Sequence, residues 1–223
     1  MAAERGHRMR IAVPGAGSVT GVRSGPADAR WLFVYAPGAG SNVDDPFGRY
    51  AASALAGRGV ATLRFQFPYM EAGRRSPDRP PVLEAAWRAA LAHARGDAAR
   101  IAAGGRSMGG RIASQVVAQG EKVDALALFA YPLHPPGKPG QSRDAHLPLL
   151  RVRTFFCSGT NDAFASPDEL RAAAALVPRA HVYLLDGADH GFAVRKSSGR
   201  GRDEVYAEAV DAFARWLLRG ARA

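Results

Sequence analysis

The segment around residue 107 constrains the fold more than any other feature of this chain. It reads Gly105-Arg106-Ser107-Met108-Gly109 and lies between a strand-like apolar run at residues 100–103 and a helix-like stretch. A G-x-S-x-G sequence between a strand and a helix predicts a sharp turn with the serine at its tip. Glycines on both sides remove the Cβ atoms that would collide in such a turn. We therefore expect Ser107 to be strained and exposed at the edge of a sheet.

Elsewhere, short apolar stretches alternate with amphipathic ones, which is typical of β-α-β units around a mostly parallel sheet. The run Trp31–Ala36 is apolar throughout, as expected for a strand buried on both faces. Helix starts are indicated by Asp45-Pro46 and by a capping box at residues 166–169. The full pattern predicts strands at residues 10–13, 18–23, 31–36, 60–67, 100–103, 123–130, 154–157 and 181–185, and helices at 46–56, 81–95, 108–119, 167–177 and 203–218.

Long connections and the overall composition favour a single folded unit. Residues 68–79 are predicted to form a polar, proline-broken loop, and residues 131–151 a loop rich in proline and glycine. The first two strands are expected to pair in antiparallel fashion. No repeat or linker interrupts the 223 residues, and 47% of them are hydrophobic, so we expect one α/β domain over residues 1–223.

The same composition bears on the compartment. No run approaches the roughly 18 apolar residues of a membrane helix, so no membrane partner is expected. Residues 1–8 lack the apolar segment of a secretory signal. Because Cys157 is the single cysteine, an internal disulfide is excluded, and the expected compartment is the reducing cytoplasm.

The formal net charge of +10 raises the question of nucleic-acid binding. Almost all of the 30 basic residues are arginines, and they are scattered, so we interpret the charge as compositional bias and expect no nucleic-acid partner. One local cluster lies in a Ser/Gly-rich loop and comprises Arg195, Lys196, Arg200 and Arg202. Two interpretations stay open for it: a solvated loop, which we favour, and attraction of an anionic substrate.

A reactive serine needs a base to take its proton and an acid to orient that base. His190 directly follows the strand predicted at 181–185 and lies among small, flexible residues that suit core packing poorly. Asp162 follows the strand predicted at 154–157. The chain order serine, aspartate, histidine is the one found in α/β hydrolases. Ser107, Asp162 and His190 are therefore the candidate nucleophile, acid and base.

Two other aspartates compete for the role of the acid. Asp189 is adjacent to His190, but neighbouring residues rarely point the same way, and its carboxylate would struggle to reach the ring Nδ1. Asp186 is a weaker rival.

Attack on a carbonyl creates an oxyanion, which must meet pre-aimed N–H donors. One donor is expected to be the backbone N–H of Met108, at the first turn of the helix after the nucleophile. The other is expected from the loop at residues 37–41, which is made of small residues and follows the strand Trp31–Ala36. Ala39 is the first choice in that loop and Gly40 the second.

Several loop residues near the carboxyl ends of strands, where open α/β sheets bind ligands, are candidates for the substrate pocket, with ordinary packing as the alternative. Arg106 is a candidate partner of Glu71 near this pocket, or a member of a surface ion pair. His134 and His146 lack metal-ligand spacing, so neither a metal nor another cofactor is expected. The four candidate pocket residues are Tyr69, Met70, Phe164 and Phe192.

With these motifs in place, the chain resembles a compact, dienelactone-hydrolase-like group of the α/β hydrolases over nearly its whole length. The group includes many small bacterial proteins, a subunit of the non-specific lethal chromatin complex and a testis-expressed protein. The resemblance rests on five strings: residues 37–40 (PGAG), 64–71 (RFQFPYME), 105–111 (GRSMGGR), 131–139 (YPLHPPGKP) and 159–162 (GTND).

The resemblance implies an α/β-hydrolase fold, a mostly parallel central sheet flanked by helices. It places nucleophile, acid and base on Ser107, Asp162 and His190. Where many relatives insert a cap domain, this chain has only residues 131–151, so a minimal cap or none is expected. Pro37-Gly38 stands where the group often has His-Gly, which removes a side chain but no backbone donor. Dienelactone hydrolases use a cysteine nucleophile, so Ser107 argues against that specific activity.

Together these observations predict a serine hydrolase that cleaves a small carboxylic ester or thioester. Some members of the group act as interaction modules, so the alternative is a non-catalytic binding module with the same fold. The oligomeric state stays open.

Overall fold

One sheet contains all eight strands of the part of the chain that the computed structural model describes, residues 6–98 and 100–219. The strands are β1 (His7–Val13), β2 (Gly17–Ser24), β3 (Trp31–Ala36), β4 (Val60–Phe65), β5 (Arg100–Arg106), β6 (Ala125–Phe129), β7 (Arg153–Gly159) and β8 (Ala180–Leu185). Their spatial order is β1-β2-β4-β3-β5-β6-β7-β8. Strand β2 pairs in antiparallel fashion with both β1 and β4, and every other pairing is parallel.

Helices cover both faces of this sheet. The helices are α1 (Pro46–Ala56), α2 (Pro68–Glu71), α3 (Pro80–Ala94), α4 (Met108–Ala118), α5 (Pro167–Ala175) and α6 (Arg202–Arg219), with 3-10 turns at Leu147–Leu149 and Lys196–Ser198. Side chains from α3, α4 and α5 join the hydrophobic cluster on one face, and those from α1 and α6 join the cluster on the other. Within residues 6–98 and 100–219, no helix combines the length and apolarity needed to cross a membrane.

Strand β3 shows why the centre of the sheet reads as a continuous apolar run. All six of its residues are buried. Trp31, Phe33 and Tyr35 belong to the cluster under α1 and α6, whereas Leu32, Val34 and Ala36 belong to the opposite cluster. Because successive strand residues point to opposite faces, a strand covered on both sides has to be apolar at every position.

The strand and helix pattern predicted from the sequence is confirmed, with a few differences. Strand β4 ends at Phe65 instead of residue 67, and the expected loop begins with the short helix α2, whose first residue is Pro68. Strand β6 ends at Phe129 because Ala130 has a positive φ of 47°, which leaves the extended conformation.

The connection between β6 and β7 contains a single 3-10 turn, so no separate cap domain is evident in the described part of the chain. The predictions that concern residues 1–5 lie outside that part, as do those parts of the single-domain prediction that fall on residues 99 and 220–223.

Candidate active site

Ser107 occupies the turn between β5 and α4 in a conformation that non-glycine residues rarely adopt. Its φ is 51° and its ψ is −120°. A Cβ atom on Gly105 would lie 2.0 Å from the carbonyl oxygen of Ala36, and one on Gly109 would lie 2.1 Å from the same oxygen. Both glycines of the motif are therefore required by the close approach of the turn to the end of β3.

The structure brings His190 to this serine. The loop after β8 carries the histidine, and its Nε2 lies 2.9 Å from Ser107 Oγ. On the other side of the ring, Nδ1 lies 2.9 Å from each carboxylate oxygen of Asp162. The three side chains meet because β5, β7 and β8 are parallel and their carboxyl ends share one edge of the sheet.

Asp162 is buried and held from two further directions. Ser158 Oγ donates a hydrogen bond of 2.9 Å to Oδ2, and the Phe164 backbone N–H donates one of 2.9 Å to Oδ1. Gly159 sets the position of this loop, since a Cβ there would lie 2.0 Å from the carbonyl oxygen of Ala188 in the next loop. The carboxylate thus faces the histidine from a fixed, dry position.

Asp189, the other candidate acid beside the histidine, makes different contacts. Asp189 Oδ1 accepts hydrogen bonds from the backbone N–H groups of Gly191 (2.8 Å) and Ala193 (2.9 Å). Its carboxylate therefore shapes the turn that presents His190.

A cavity of about 420 Å³ opens in front of Ser107 and His190. Ala39 and Met108, the expected oxyanion donors, line it together with Phe164. Met108 is the first residue of α4, where backbone N–H groups lack partners within the helix. The second-choice donor, Gly40, is already engaged, because its N–H donates a 2.9 Å hydrogen bond to the Tyr69 hydroxyl.

Of the four side chains predicted to line a substrate pocket, only Phe164 is among the residues that line this cavity. Its ring stacks on the imidazole of His190, with ring centres 4.0 Å apart. Tyr69 and Phe192 are fully buried, and Met70 packs against the hydrophobic core, so the prediction was wrong for these three. Burying a large apolar side chain in the core stabilises the fold by about 1.5–3 kcal/mol. A side chain on a loop gains this free energy as readily as one on a helix.

Arg106 does not pair with Glu71. Its Nη1 instead lies 4.0 Å from Asp45 Oδ1. Glu71 instead accepts hydrogen bonds from Arg10, from the Thr20 backbone N–H (2.9 Å) and from Gln66. Burial alone would raise the pKa of Glu71, but these hydrogen bonds lower it to about 2.

The basic loop at residues 195–202 lies beside a second cavity, which is not the one in front of Ser107. Arg195 lines a cavity of about 590 Å³ together with Asn161 and Asp189, and Ser107 and His190 are not among its lining residues. Arg200 forms an ion pair with Glu208. The larger cavity is therefore not the one that Ser107 and His190 line.

Two arginines that the sequence analysis missed also line the smaller cavity. Arg111 lies one helical turn after Ser107, and side chains on a helix lean toward its N-terminus, so the spacing was a usable signal. Arg143 comes from the proline- and glycine-rich loop, whose path the sequence does not specify.

The two histidines of the loop between β6 and β7 contact other side chains. His146 Nε2 lies 2.7 Å from Ser114 Oγ, and His134 Nε2 lies 3.3 Å from Glu169 Oε2. Across residues 6–98 and 100–219, no group of three or more histidine, cysteine or acidic side chains is arranged to hold a metal ion.

Comparisons with known proteins identify the family and the fold of the chain. Residues 29–218 match a protein family described as an alpha/beta hydrolase domain. The fold is similar to that of an alpha-beta serine hydrolase homologue from Coxiella burnetii, with a TM-score of 0.74 and 19% sequence identity over 92% of this chain and 96% of that one.

Two further solved structures are similar over nearly the whole chain. A dienelactone hydrolase from Anabaena variabilis has a TM-score of 0.75 and 19% identity, with 97% of this chain and 98% of that one covered. Est1E from Butyrivibrio proteoclasticus has a TM-score of 0.76 and 13% identity, with 97% and 99% covered. At these identities the likeness establishes the fold alone. The match over residues 29–218 covers well over half of the chain, so this protein belongs to the alpha/beta hydrolase domain family, with the compact fold of its dienelactone-hydrolase-like members.

Proposed function

We propose that this protein is a serine hydrolase that cleaves a carboxylic ester or thioester through an acyl-enzyme. The observation that carries the proposal is one continuous line of contacts, from Ser107 Oγ to His190 Nε2 at 2.9 Å and from His190 Nδ1 to the Asp162 carboxylate at 2.9 Å. Such a line moves a proton away from a hydroxyl and stabilises the resulting imidazolium.

In the first half of the reaction, His190 takes the proton of Ser107 as the oxygen attacks the substrate carbonyl. The Met108 and Ala39 backbone N–H groups hold the oxyanion that forms. When the tetrahedral intermediate collapses, His190 gives its proton to the leaving alcohol or thiol, and the acyl group stays on Ser107.

In the second half, His190 takes a proton from water, and the hydroxide attacks the acyl-enzyme. The carboxylic acid leaves as the proton returns to Ser107 Oγ. Asp162 keeps the imidazole oriented throughout, and its buried carboxylate stabilises the positive ring.

The substrate is expected to be small. The cavity of about 420 Å³ is near the lower end of the range for small-molecule sites, and no cap domain that could enclose a long chain is evident among residues 6–98 and 100–219. The presence of a serine hydrolase homologue and a dienelactone hydrolase among proteins of the same fold supports small-molecule ester chemistry for this chain.

Labelling with a fluorophosphonate probe tests this proposal, because the probe forms a covalent bond with an activated serine. We expect the wild type to be labelled and Ser107→Ala to be unlabelled. Ser53→Ala is the matched control, since Ser53 lies on α1 and does not line the cavity. It should be labelled like the wild type.

Hydrolysis of p-nitrophenyl acetate provides a second readout. The Ser107→Ala variant should lose about 10⁴-fold or more in kcat, the usual effect of removing such a nucleophile. A folded wild-type protein that neither reacts with the probe nor hydrolyses the ester would overturn the proposal and favour a non-catalytic binding module.

A further inference from the structure

Three arginines line the cavity in front of Ser107: Arg106, Arg111 and Arg143. Arg106 faces the carboxylate of Asp45. For the guanidinium groups of Arg111 and Arg143, no carboxylate oxygen of residues 6–98 or 100–219 lies within the 4.0 Å that defines an ion pair. The cavity therefore carries two positive charges that lack an ionic partner in the described protein.

Arg111 is a fixed part of the cavity wall. Its backbone N–H donates a 3.0 Å hydrogen bond to the carbonyl oxygen of Ser107, which places it one turn into α4. Its Nε is buried without a hydrogen-bond partner, and Nη1 makes one long contact, 3.5 Å, with Gln115. A buried donor without a partner costs free energy, so this side chain has unused capacity to bind an acceptor.

Arg143 is held just as firmly, through its backbone. Its N–H donates to the carbonyl oxygen of Leu133 at 2.8 Å, and its own carbonyl oxygen accepts a 2.8 Å hydrogen bond from the Tyr131 hydroxyl. The guanidinium makes one long contact, 3.4 Å, with the carbonyl oxygen of Pro132. The main chain at Arg143 is therefore ordered while most of its side-chain donors remain available.

A polar contact also fixes the two arginines relative to each other. His146 Nε2, three residues after Arg143, lies 2.7 Å from Ser114 Oγ. The same hydroxyl donates a 2.8 Å hydrogen bond to the carbonyl oxygen of Arg111. The loop that carries Arg143 is thereby joined to the helix that carries Arg111.

Holding two like charges beside one cavity is unfavourable without a counterion. Burial lowers the pKa of Arg111, and the positive charge of Arg143 lowers it further. An anion between the two guanidinium groups removes this repulsion and supplies acceptors for their free N–H groups.

We propose that the substrate carries, besides the scissile ester or thioester, a negatively charged carboxylate or phosphoryl group that Arg111 and Arg143 bind. This inference rests on the proposed function, and it adds the charge of the substrate. Ser107 and Arg111 lie at the same end of α4. Because their separation is fixed, it also sets the distance between the ester and the bound anion.

Matched ester pairs test the charge directly. On the acyl side, mono-p-nitrophenyl adipate is compared with neutral p-nitrophenyl hexanoate. On the leaving-group side, 4-acetoxybenzoate and 4-acetoxyphenyl phosphate are compared with neutral 4-acetoxybenzamide. We expect kcat/KM to favour an anionic member by about tenfold or more in at least one series, and the leaving-group series separates carboxylate from phosphoryl recognition.

Arg143→Gln is the decisive variant because the side chain is partly exposed and its loss spares the core. It should reduce the anionic-to-neutral ratio of kcat/KM by about tenfold. Arg151→Gln is the matched control: Arg151 is an exposed arginine that follows the same loop and bonds to the carbonyl oxygens of Pro148 and Leu150. It should leave the ratio unchanged.

A measurement that needs no turnover separates this inference from the proposed function. Adipate and inorganic phosphate are added to the wild type and to Ser107→Ala, and Tm is measured. At least one anion should raise Tm in both proteins but not in Arg143→Gln. Equal or better turnover of the neutral esters, or no rise in Tm with either anion, would overturn the inference even if the serine hydrolase proposal stands.

Discussion

Two serine hydroxyls in the described chain contact a histidine Nε2, and the contacts are almost the same length. Ser107 Oγ lies 2.9 Å from His190, and Ser114 Oγ lies 2.7 Å from His146. Both serines belong to the region of α4, less than three turns apart. The contact between serine and histidine is therefore common to the two pairs, and their difference lies in what surrounds them.

The pair of Ser107 and His190 lines the cavity and has the buried carboxylate of Asp162 behind the ring. Ser114 is fully buried, and its hydroxyl also donates to a helix carbonyl. Burial and the positive charge of Arg111 lower the pKa of His146 to about 4, against a smaller opposite effect of Asp144. A ring in such surroundings resists protonation, whereas a general base has to accept a proton. The two pairs therefore differ in their access to the cavity and in whether a carboxylate contacts the histidine ring.

Among the changes that test this comparison, the largest effect is expected from removing the carboxylate that contacts His190. Asp162→Asn should lower kcat for p-nitrophenyl acetate by roughly 10³–10⁴-fold, because the amide neither stabilises the imidazolium nor selects the required tautomer. Circular dichroism checks that the variant is folded.

Asp189→Asn is the control for that experiment, since the same change is made in the residue next to His190. The amide oxygen still accepts from Gly191 and Ala193, so kcat should fall less than tenfold. Equal losses in both variants would show that the carboxylate of Asp162 has no special place in the reaction.

The meeting of Ser107, Asp162 and His190 at one edge of the sheet could be predicted from the sequence for a physical reason. A sharp turn requires glycines at Gly105 and Gly109, and parallel strands necessarily bring their carboxyl ends together. Ser107, Asp162 and His190 lie in the loops that follow β5, β7 and β8, so the topology brings them to the same edge of the sheet.

The lining of the cavity could not be predicted in the same way. Tyr69 and Phe192 lie on connections near the site, yet their rings are fully buried, and sequence does not tell an apolar loop residue that faces a ligand from one that faces the core. Arg143 reaches the cavity through a loop whose path depends on hydrogen bonds from Tyr131 and to Leu133. Such long-range contacts leave no local pattern.

A smaller effect on kcat is expected from a change in the loop that carries Ala39, beside the first pair. The Tyr69 hydroxyl accepts the Gly40 N–H at 2.9 Å, so Tyr69→Phe leaves that donor unsatisfied and loosens the aim of the neighbouring N–H. We expect kcat to fall about tenfold with little change in KM. Tyr50→Phe, on the partly exposed side of α1, should change neither constant. An unchanged kcat in Tyr69→Phe would remove the loop from the mechanism.

The smallest expected effect concerns the second pair, and it appears in stability rather than in turnover. The folded pKa of His146, about 4, lies below its ordinary value of 6.5, so the unfolded chain binds more protons between these two values. Its contribution to stability is complete above pH 6.5 and is lost as the pH falls toward 4. Urea unfolding of the wild type at pH 7.5 and 5.0 should therefore show a loss at the lower pH that is smaller in His146→Gln.

His134→Gln should change the pH dependence of stability in the opposite direction to His146→Gln. The hydrogen bond to the Pro135 carbonyl oxygen, assisted by Glu169, raises the pKa of His134. Its contribution is present below pH 6.5 and lost as the pH rises, so this variant should lose more stability than the wild type between pH 7.5 and 5.0. Glu71 and Glu169, whose pKa values are lowered to about 2, act below pH 4.5 and leave this window undisturbed. Identical pH slopes in the wild type and His146→Gln would contradict the lowered pKa of the half-buried His146 that separates the second pair from the first.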